Sequence, residues 1–167
     1  WNKGIKEYFE AAQMVKQHYP KVSFQLLGGL DPCSPNAVDS TFLESLKDNA
    51  VLEYMGETED VRPYIDNCDC VVLPSYREGL PRVLLEAGAM CKPAIATNVE
   101  GCREVISANE TGFLCKPRDA QNLAENMLKF IRLSLVEREE MGLAARERIV
   151  TTFDEALVIK SYSNILC

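Results

Sequence analysis

The sequence predicts an α/β fold class, a doubly wound parallel sheet followed by C-terminal helices, and two features of the chain predict it. Up to about residue 114, short apolar runs alternate with segments of helical periodicity, which is the βαβ pattern of a parallel sheet covered on both faces. From Asp119 onward only helical patterns follow. The length of 167 residues is that of one ordinary domain, so we expect a single folded unit.

The first half of the chain is predicted to alternate helices and strands. Ile5, Phe9 and Val15 recur at roughly helical spacing, and this run ends near Pro20. The apolar run 22–27 is closed by two glycines, which is typical of a buried strand that meets a loop. The predicted helices are 3–18, 40–48 and 60–67, and the predicted strands are 22–27, 51–54 and 70–73.

The second half continues the alternation and then becomes helical. Pro81 fits the first position of a helix, and Asp119 is predicted to be the N-cap of the first tail helix. In such sheets ligands bind outside the carboxyl ends of the strands, so a site is expected in the loops there. The predicted helices are 81–90, a short one after Gly101, 120–133, 136–150 and 154–165, and the predicted strands are 94–97 and 112–114.

Charge and hydropathy argue against nucleic acid and the bilayer core as binding partners. The chain has 18 Lys and Arg against 25 Asp and Glu, a formal net charge of -7, and no basic run that could neutralise a row of phosphates. Its apolar runs fall far short of the roughly 20 residues that span a bilayer. Residues 1–4 lack the pattern of a signal peptide, so we expect a cytoplasmic protein.

The cysteines and the histidine do not indicate a metal site. Seven cysteines is an odd number, and Cys68 and Cys70 are the only close pair. We interpret the cysteines as reduced, small apolar core residues rather than as zinc ligands or disulfides. The single histidine, His18, ends a predicted helix and is expected at the surface.

The start of the helix predicted for 81–90 is a candidate anion site. Proline at the first helical position lacks an N–H that would be unpaired in any case, and the amides of Arg82, Val83 and Leu84 are then expected to be free. Free amides at the positive end of a helix dipole attract anions such as phosphate.

Two carboxylates flank these amides. Glu78 precedes them in the loop, and Glu86 follows about 7.5 Å along the helix axis from Pro81. A nucleoside diphosphate sugar has the matching order of sugar, diphosphate and ribose, and carboxylates accept hydrogen bonds from sugar hydroxyls. The same separation of eight at Glu139 and Glu147 is interpreted as a solvated helix face. The strand end, Gly79 and Pro81 distinguish the first pair.

At these residues the sequence resembles a known family. Residues 78–89 resemble the E-x7-E signature of retaining glycosyltransferases with the two-domain GT-B architecture, and the likeness continues through 92–97, 100–105 and 111–114. The resemblance implies a Rossmann-like, donor-binding C-terminal half. It implies that Glu78 holds donor-sugar hydroxyls, that Glu86 holds the ribose, and that the segment between them holds the diphosphate, with Gly79, Leu80, Val83 and Leu84 as the donor-binding residues.

The resemblance also assigns residues outside this segment. Lys3-Gly4 resembles the lysine-glycine pair whose lysine neutralises the diphosphate. The nucleobase is expected against the turn that carries Gly56 and Glu57, although an ordinary strand-to-helix turn explains this sequence equally well. Gly28, Ser75 and Gly101, in loops at other strand ends, are weaker candidates, because glycine there can serve the turn alone.

The activity implied is transfer of a sugar with retention, along an oxocarbenium-like path, from a nucleoside diphosphate sugar to a saccharide or lipid-linked acceptor. The residues look most like those of bacterial enzymes of polysaccharide biosynthesis, with UDP as the first choice of nucleotide and GDP left open. No Asp-x-Asp motif is present, and no metal or other cofactor is expected. The family also has a first strand and a phosphate-binding arginine upstream of Lys3, and an N-terminal acceptor domain that could dock on the cytoplasmic membrane face. We expect that these are absent from residues 1–167.

Three other functions remain open. A sugar-nucleotide epimerase shares the two-domain architecture, but the Glu78 to Glu86 segment argues against it. A non-catalytic sugar-nucleotide-binding module would keep the fold without the chemistry. A dehydrogenase would share the fold class, but no Gly-x-Gly-x-x-Gly follows a strand and opens a helix.

Overall fold

The computed structural model describes residues 2–29, 51–156 and 159. Strands and helices alternate within them, as the sequence predicts. The elements, in chain order, are α1 (Ile5–His18), β1 (Gln25–Leu27), β2 (Glu53–Gly56), α2 (Arg62–Asp66), β3 (Val71–Leu73), α3 (Arg82–Ala89), β4 (Ala94–Thr97), α4 (Glu100–Val105), β5 (Gly112–Cys115), α5 (Ala120–Ile131) and α6 (Leu135–Phe153).

The strands form two parallel sheets. β1 pairs with β2, with Gln25 opposite Glu53 and a register shift between Leu26 and Leu27. The second sheet has the order β3-β4-β5, in which Ile95 of β4 lies between Val72 and Phe113. Parallel pairing confirms the predicted fold class, because parallel neighbours require the helical crossovers that the alternating pattern indicates.

Helices cover both faces of the three-stranded sheet. Side chains alternate along β4, so Ile95 joins one apolar cluster while Ala94 and Ala96 join the other. The first cluster lies under α1 and α5, and the second lies under α3, α4 and the end of α6. All four residues of β4 are buried, as expected for a central strand with both faces covered.

The helical tail begins as predicted, and its second helix is longer than predicted. The Asp119 carboxylate accepts the Asn122 N–H at 2.8 Å, which confirms the predicted N-cap of α5. Ser134 and Glu137 form a capping box at the start of α6, which runs to Phe153 instead of ending at residue 150. The helix predicted for 40–48, and most of the one predicted for 154–165, lie outside the described residues.

The cysteines differ from one another in burial. Cys102 and Cys115 are buried, as predicted, and all five cysteines that the structure describes are free. Cys91 is exposed, which corrects the prediction of a core position, because it lies in the turn after α3 with a left-handed φ of 58°. His18 is exposed, as expected. Across the described ranges, no helix has the length and apolar character needed to cross a membrane.

Candidate functional site

The candidate site lies in the loop that joins β3 to α3, residues 74–80, which we call the Glu78 loop. This loop leaves the carboxyl end of β3, at the edge of the sheet where β4 and β5 also end, and ligands of parallel α/β sheets bind at such edges. The start of α1 contacts the loop on one side, and the start of α4 contacts it on another.

Lys3 and Glu78, 75 residues apart in sequence, form an ion pair in the loop. The Lys3 Nζ donates to Glu78 Oε1 at 2.7 Å. The two side chains differ in exposure, 66% for Lys3 and 12% for Glu78. The carboxylate is therefore the largely buried member of the pair, and the lysine is the exposed one.

The start of α1 packs closely against the beginning of the loop. The Tyr76 N–H donates to the Asn2 carbonyl at 2.9 Å. Gly4 has a left-handed φ of 67°, and a Cβ there would lie 2.1 Å from the Pro74 carbonyl oxygen. Only glycine fits such a contact, so packing by itself explains why a glycine follows Lys3.

A second glycine presses on the loop from α4. A Cβ on Gly101 would lie 1.5 Å from the Gly79 carbonyl oxygen and 2.8 Å from that of Glu78. The Thr97 hydroxyl, at the end of β4, donates to the Ser75 carbonyl in the buried part of the same loop. The backbone that carries Glu78 is thus held from both neighbouring elements.

The start of α3 corrects the prediction for Pro81 and for one amide. Pro81 has an extended ψ of 110° and precedes the helix as its N-cap, so Arg82 is the first helical residue. The Leu84 N–H donates to the Pro81 carbonyl at 3.1 Å and is therefore not free. Within the described residues, the amides of Arg82 and Val83 have no acceptor, so the anion site has two free backbone donors rather than three.

The other predicted residues of this segment differ in what they can offer a ligand. Glu86 is partly exposed on α3, and its Oε1 lies 3.7 Å from Arg82 Nη2. Leu80 is 51% exposed, and a Cβ on Gly79 would meet open space. Val83 is half-buried, whereas the Leu84 side chain is buried in the core. Leu84 therefore contributes to packing rather than to the ligand-facing surface.

Gly56 and Glu57 lie in the other sheet, at the end of β2. Gly56 has a left-handed φ of 77°, and its carbonyl accepts the Gly28 N–H at 2.8 Å. The Glu57 carboxyl group lies against Gly29, within 2.6 Å of where a Cβ would be. In the described ranges, no hydrogen bond or ion pair joins Gly56 or Glu57 to the Glu78 loop. Their predicted contact with a nucleobase stays a prediction.

The contacts of Tyr76 with two other side chains, Glu7 and Arg118, were not predicted from the sequence. The Tyr76 hydroxyl donates to Glu7 Oε1 at 2.6 Å, and the Arg118 guanidinium carbon lies 4.8 Å from the centre of the Tyr76 ring. Burial, followed by the neighbouring Glu7 carboxylate, raises the pKa of Tyr76 to about 12. Tyr76 lies in the Glu78 loop, but no pattern in the sequence indicates that Glu7 or Arg118 contacts it.

Some polar atoms near the loop are buried without a partner. The Ser75 hydroxyl and the Glu7 Oε2 have no hydrogen-bond partner within the described residues. Cys102 is buried near the loop, and its burial, together with the nearby Glu78 carboxylate, raises the pKa of its thiol to about 11. This thiol is thus a packing group rather than a nucleophile at neutral pH.

The arrangement can bind a polyanion that carries hydroxyl groups. One ammonium group and two backbone amides can face negative charge, and two carboxylates can accept hydrogen bonds from hydroxyls. No cluster of three or more potential metal ligands occurs in residues 2–29, 51–156 and 159.

Comparisons with known proteins identify the family to which the chain is related. The family model described as glycosyl transferases group 1 matches residues 1–148. The chain is similar to N,N'-diacetylbacillosaminyl-diphospho-undecaprenol alpha-1,3-N-acetylgalactosaminyltransferase from Campylobacter jejuni, with 35% identity over 97% of this chain and 40% of that protein. It is also similar to the capsular polysaccharide biosynthesis glycosyltransferase CapM from Staphylococcus aureus, with 27% identity over 94% of this chain and 40% of that protein. The chain thus spans about two fifths of the length of these relatives.

Solved structures show the same fold. A TarM mutant from S. aureus, in complex with Fondaparinux, alpha-GlcNAc-glycerol and UDP, matches with a TM-score of 0.86 and 21% identity over 98% of this chain and 33% of that chain. The C-terminal domain of the group 1 protein LpcC from Francisella tularensis matches with a TM-score of 0.78 and 24% identity over 91% of this chain and 80% of that chain.

Proposed function

The chain belongs to the glycosyl transferases group 1 family, and we propose that it is the donor-binding half of a retaining glycosyltransferase that uses a nucleoside diphosphate sugar. One observation carries the proposal. The ammonium group of Lys3 and the carboxylate of Glu78 meet at 2.7 Å in the loop that leads to the free amides at the start of α3. Together these groups could bind a diphosphate sugar, with the carboxylate facing the sugar hydroxyls and the ammonium group and amides facing the diphosphate.

In this proposal the diphosphate replaces Glu78 as the partner of Lys3. Lys3 is the exposed member of the pair and can turn toward the diphosphate, while Glu78 stays in place. The amides of Arg82 and Val83 donate to the same anion. Glu78 is then free to accept hydrogen bonds from the sugar hydroxyls, and Glu86, further along α3, accepts those of the ribose.

The chemical contribution of these residues is to stabilise charge. When the bond between the anomeric carbon and the diphosphate oxygen breaks, negative charge grows on the diphosphate, and Lys3 and the two amides stabilise it. Glu78 orients the sugar while positive charge develops at its ring. The acceptor then attacks from the face that the diphosphate leaves, which retains the anomeric configuration.

We further propose a UDP-sugar as donor and a saccharide or lipid-linked acceptor in bacterial polysaccharide biosynthesis. The support is the relative at 35% identity, whose name states transfer of N-acetylgalactosamine to a diphospho-undecaprenol-linked sugar. A lipid-linked acceptor would bring the full protein to a membrane surface. No metal or organic cofactor enters the proposed mechanism.

The proposal includes one further strand between the two sheets. In the described part of the chain, β1 pairs only with β2 and β3 pairs only with β4, yet residues of both sheets share the apolar cluster under α1. A parallel strand supplied from outside residues 1–167 would pair with both open edges. Protection of β1 and β3 amides from hydrogen exchange in the full protein tests this part.

Calorimetric titration tests the proposed function. The chain is titrated with UDP, GDP, ADP and UDP-N-acetylhexosamines, and selective binding of UDP compounds is expected. Glu86→Ala should weaken UDP binding about tenfold, because the ribose loses its charged acceptor. Glu139→Ala is the matched control, because Glu139 is an exposed helical glutamate that lies eight residues before Glu147. This variant should bind UDP as the wild type does.

The outcomes separate the candidate functions. Binding of no nucleotide by a folded sample that includes the proposed additional strand would contradict the donor-site proposal. Binding of nucleotide sugars by a full protein that transfers no sugar to any acceptor would favour the non-catalytic module.

A further inference from the structure

Tyr76 connects the two segments that carry the charged groups of the proposed site. Its backbone N–H donates to the carbonyl of Asn2, and its hydroxyl donates to the carboxylate of Glu7. These two partners flank Lys3 along the chain, and Tyr76 lies two residues before Glu78. One residue therefore ties both sides of the Lys3–Glu78 ion pair together.

We propose that Tyr76 is a positioning residue of the donor site, with Glu7 and Arg118 as the residues that hold it. It fixes the Glu78 loop against the start of α1, and by this sets where the Glu78 carboxylate meets the donor sugar. The inference rests on the proposed function and extends it to three residues that the resemblance does not assign.

The Tyr76 side chain is fixed on two sides. The 2.6 Å hydrogen bond to Glu7 has a charged acceptor, which makes it one of the stronger kind. The guanidinium group of Arg118, in the loop after β5, lies over the ring at 4.8 Å, within the range of a cation–π contact. The phenol is protonated at physiological pH even at the ordinary tyrosine pKa, and here its pKa is raised further, to about 12, so the hydroxyl can donate.

Glu7 is suited to hold Tyr76 rather than to bind substrate. It lies in the first turn of α1 and is half-buried, and its Oε2 is buried without a hydrogen-bond partner in the described residues. Burying a carboxylate oxygen in this way has a cost, so the remaining bond to Tyr76 is the contact that accounts for an acidic residue at this place. Leucine at position 7 would pack but could not hold the hydroxyl.

The test measures how much the sugar adds to nucleotide affinity. The full chain of the protein is titrated with UDP and with UDP-glucose, UDP-N-acetylglucosamine and UDP-N-acetylgalactosamine, and the Kd for UDP is divided by the Kd for the tightest UDP-sugar. Tyr76→Phe should move this ratio about five- to tenfold toward the ratio of Glu78→Ala, which is the size of the net contribution of one typical hydrogen bond. In the Glu78→Ala background, Tyr76→Phe should change the ratio less than about twofold.

Variants of Glu7, in α1, test the same hydrogen bond from its acceptor. Glu7→Leu should shift the ratio as Tyr76→Phe does, whereas Glu7→Gln, whose amide oxygen can still accept the hydroxyl proton, should stay near the wild type. Tyr8→Phe is the matched control, because it removes a tyrosine hydroxyl that donates to the Gln25 carbonyl at 3.1 Å, away from the loop. It should lower the melting temperature and leave the ratio unchanged.

The outcomes distinguish this inference from the proposed function. If the wild type binds UDP-sugars but Tyr76→Phe and Glu7→Leu keep the wild-type ratio, Tyr76 has only a structural role and the inference is wrong. An equal shift of the ratio in the wild-type and Glu78→Ala backgrounds would also overturn it. If the wild type binds none of the nucleotides, the proposed function fails, and this inference fails with it.

Discussion

The sheet β3-β4-β5 and the pair β1-β2 have the same parallel topology but differ in packing. Every residue of β4 is buried, whereas no residue of β1 or β2 is fully buried. In β5 of the larger sheet and in the neighbouring helix α4, glycines lie where a Cβ would overlap a neighbouring carbonyl, as at Gly112 and Gly101. At the end of β2, Gly56 has open space around it and a left-handed φ of 77°. Glycine thus makes room for a neighbouring carbonyl at Gly101 and Gly112, and it allows a left-handed φ at Gly56.

The difference bears on how the two regions hold a ligand. The Glu78 loop is held in place by close backbone contacts, hydrogen bonds and an ion pair from two neighbouring elements. The Gly56 carbonyl accepts a hydrogen bond from Gly28, and a Cβ on Gly56 would meet nothing within 4 Å. We therefore expect the first region to arrange charged groups with little freedom, and the second to adapt to whatever it contacts.

The largest effect is expected for Gly101→Ala. The new methyl group would overlap the Gly79 carbonyl, so the Glu78 loop must move, at a cost of about 3 kcal/mol in the free energy of unfolding. Urea unfolding measures this loss, and titration with UDP-sugars should show that binding is lost with it. Gly79→Ala, where a Cβ meets open space, is the matched control and should change stability by less than about 0.5 kcal/mol. Equal stability of the two variants would break the comparison.

A smaller effect is expected for Gly56→Ala. No atom obstructs the methyl group, but alanine at a left-handed φ should cost about 1 kcal/mol, again measured by urea unfolding. Asparagine tolerates this φ, so Gly56→Asn should recover part of the loss, while Gly101→Asn should recover none. Recovery at Gly101 would show that backbone angle, not space, is what that position requires.

The smallest change in stability is expected for Lys3→Met. Lys3 is 66% exposed, and exposed ion pairs contribute about 0–1 kcal/mol, so the melting temperature should hardly move. Affinity for UDP-sugars should fall about tenfold, because the diphosphate loses its cation. Lys6→Met is the matched control, since Lys6 is also exposed and pairs with Glu10 at 3.8 Å. If Lys3→Met left the affinity unchanged, the role proposed for Lys3 would be wrong.

The elements that the sequence predicted well are those with local signals. The N-cap at Asp119 and the apolar run at Ala94–Thr97 depend on neighbouring residues, and both are where they were expected. Two predictions were wrong where the backbone conformation, rather than the residue type, decides the outcome. Pro81 precedes α3 instead of starting it, and Cys91 is exposed because of a turn conformation that its residue type does not indicate.

In the candidate site, too, residues within one segment were predicted and contacts between distant residues were not. Glu78, Glu86 and the start of α3 were identified from the order of residues within one short segment. The resemblance assigned Lys3 to the diphosphate and Glu78 to the sugar, but it did not predict the contact between them, and Leu84 was wrongly expected to offer a free amide. The bonds of Tyr76 to Glu7 and Arg118 had no counterpart in the sequence pattern, because their partners lie far apart along the chain.

The sequence by itself determined the alternation of strands and helices, the fold class and the segment that carries the candidate chemistry, because these depend on periodicity and on residues close in the chain. Only the tertiary structure decided which groups meet: Lys3 with Glu78, Gly101 with the Glu78 loop, and Tyr76 with Glu7. The physical reason is that parallel strands bring their carboxyl ends to one edge. The loops that follow them then pack together there, whatever their separation in sequence.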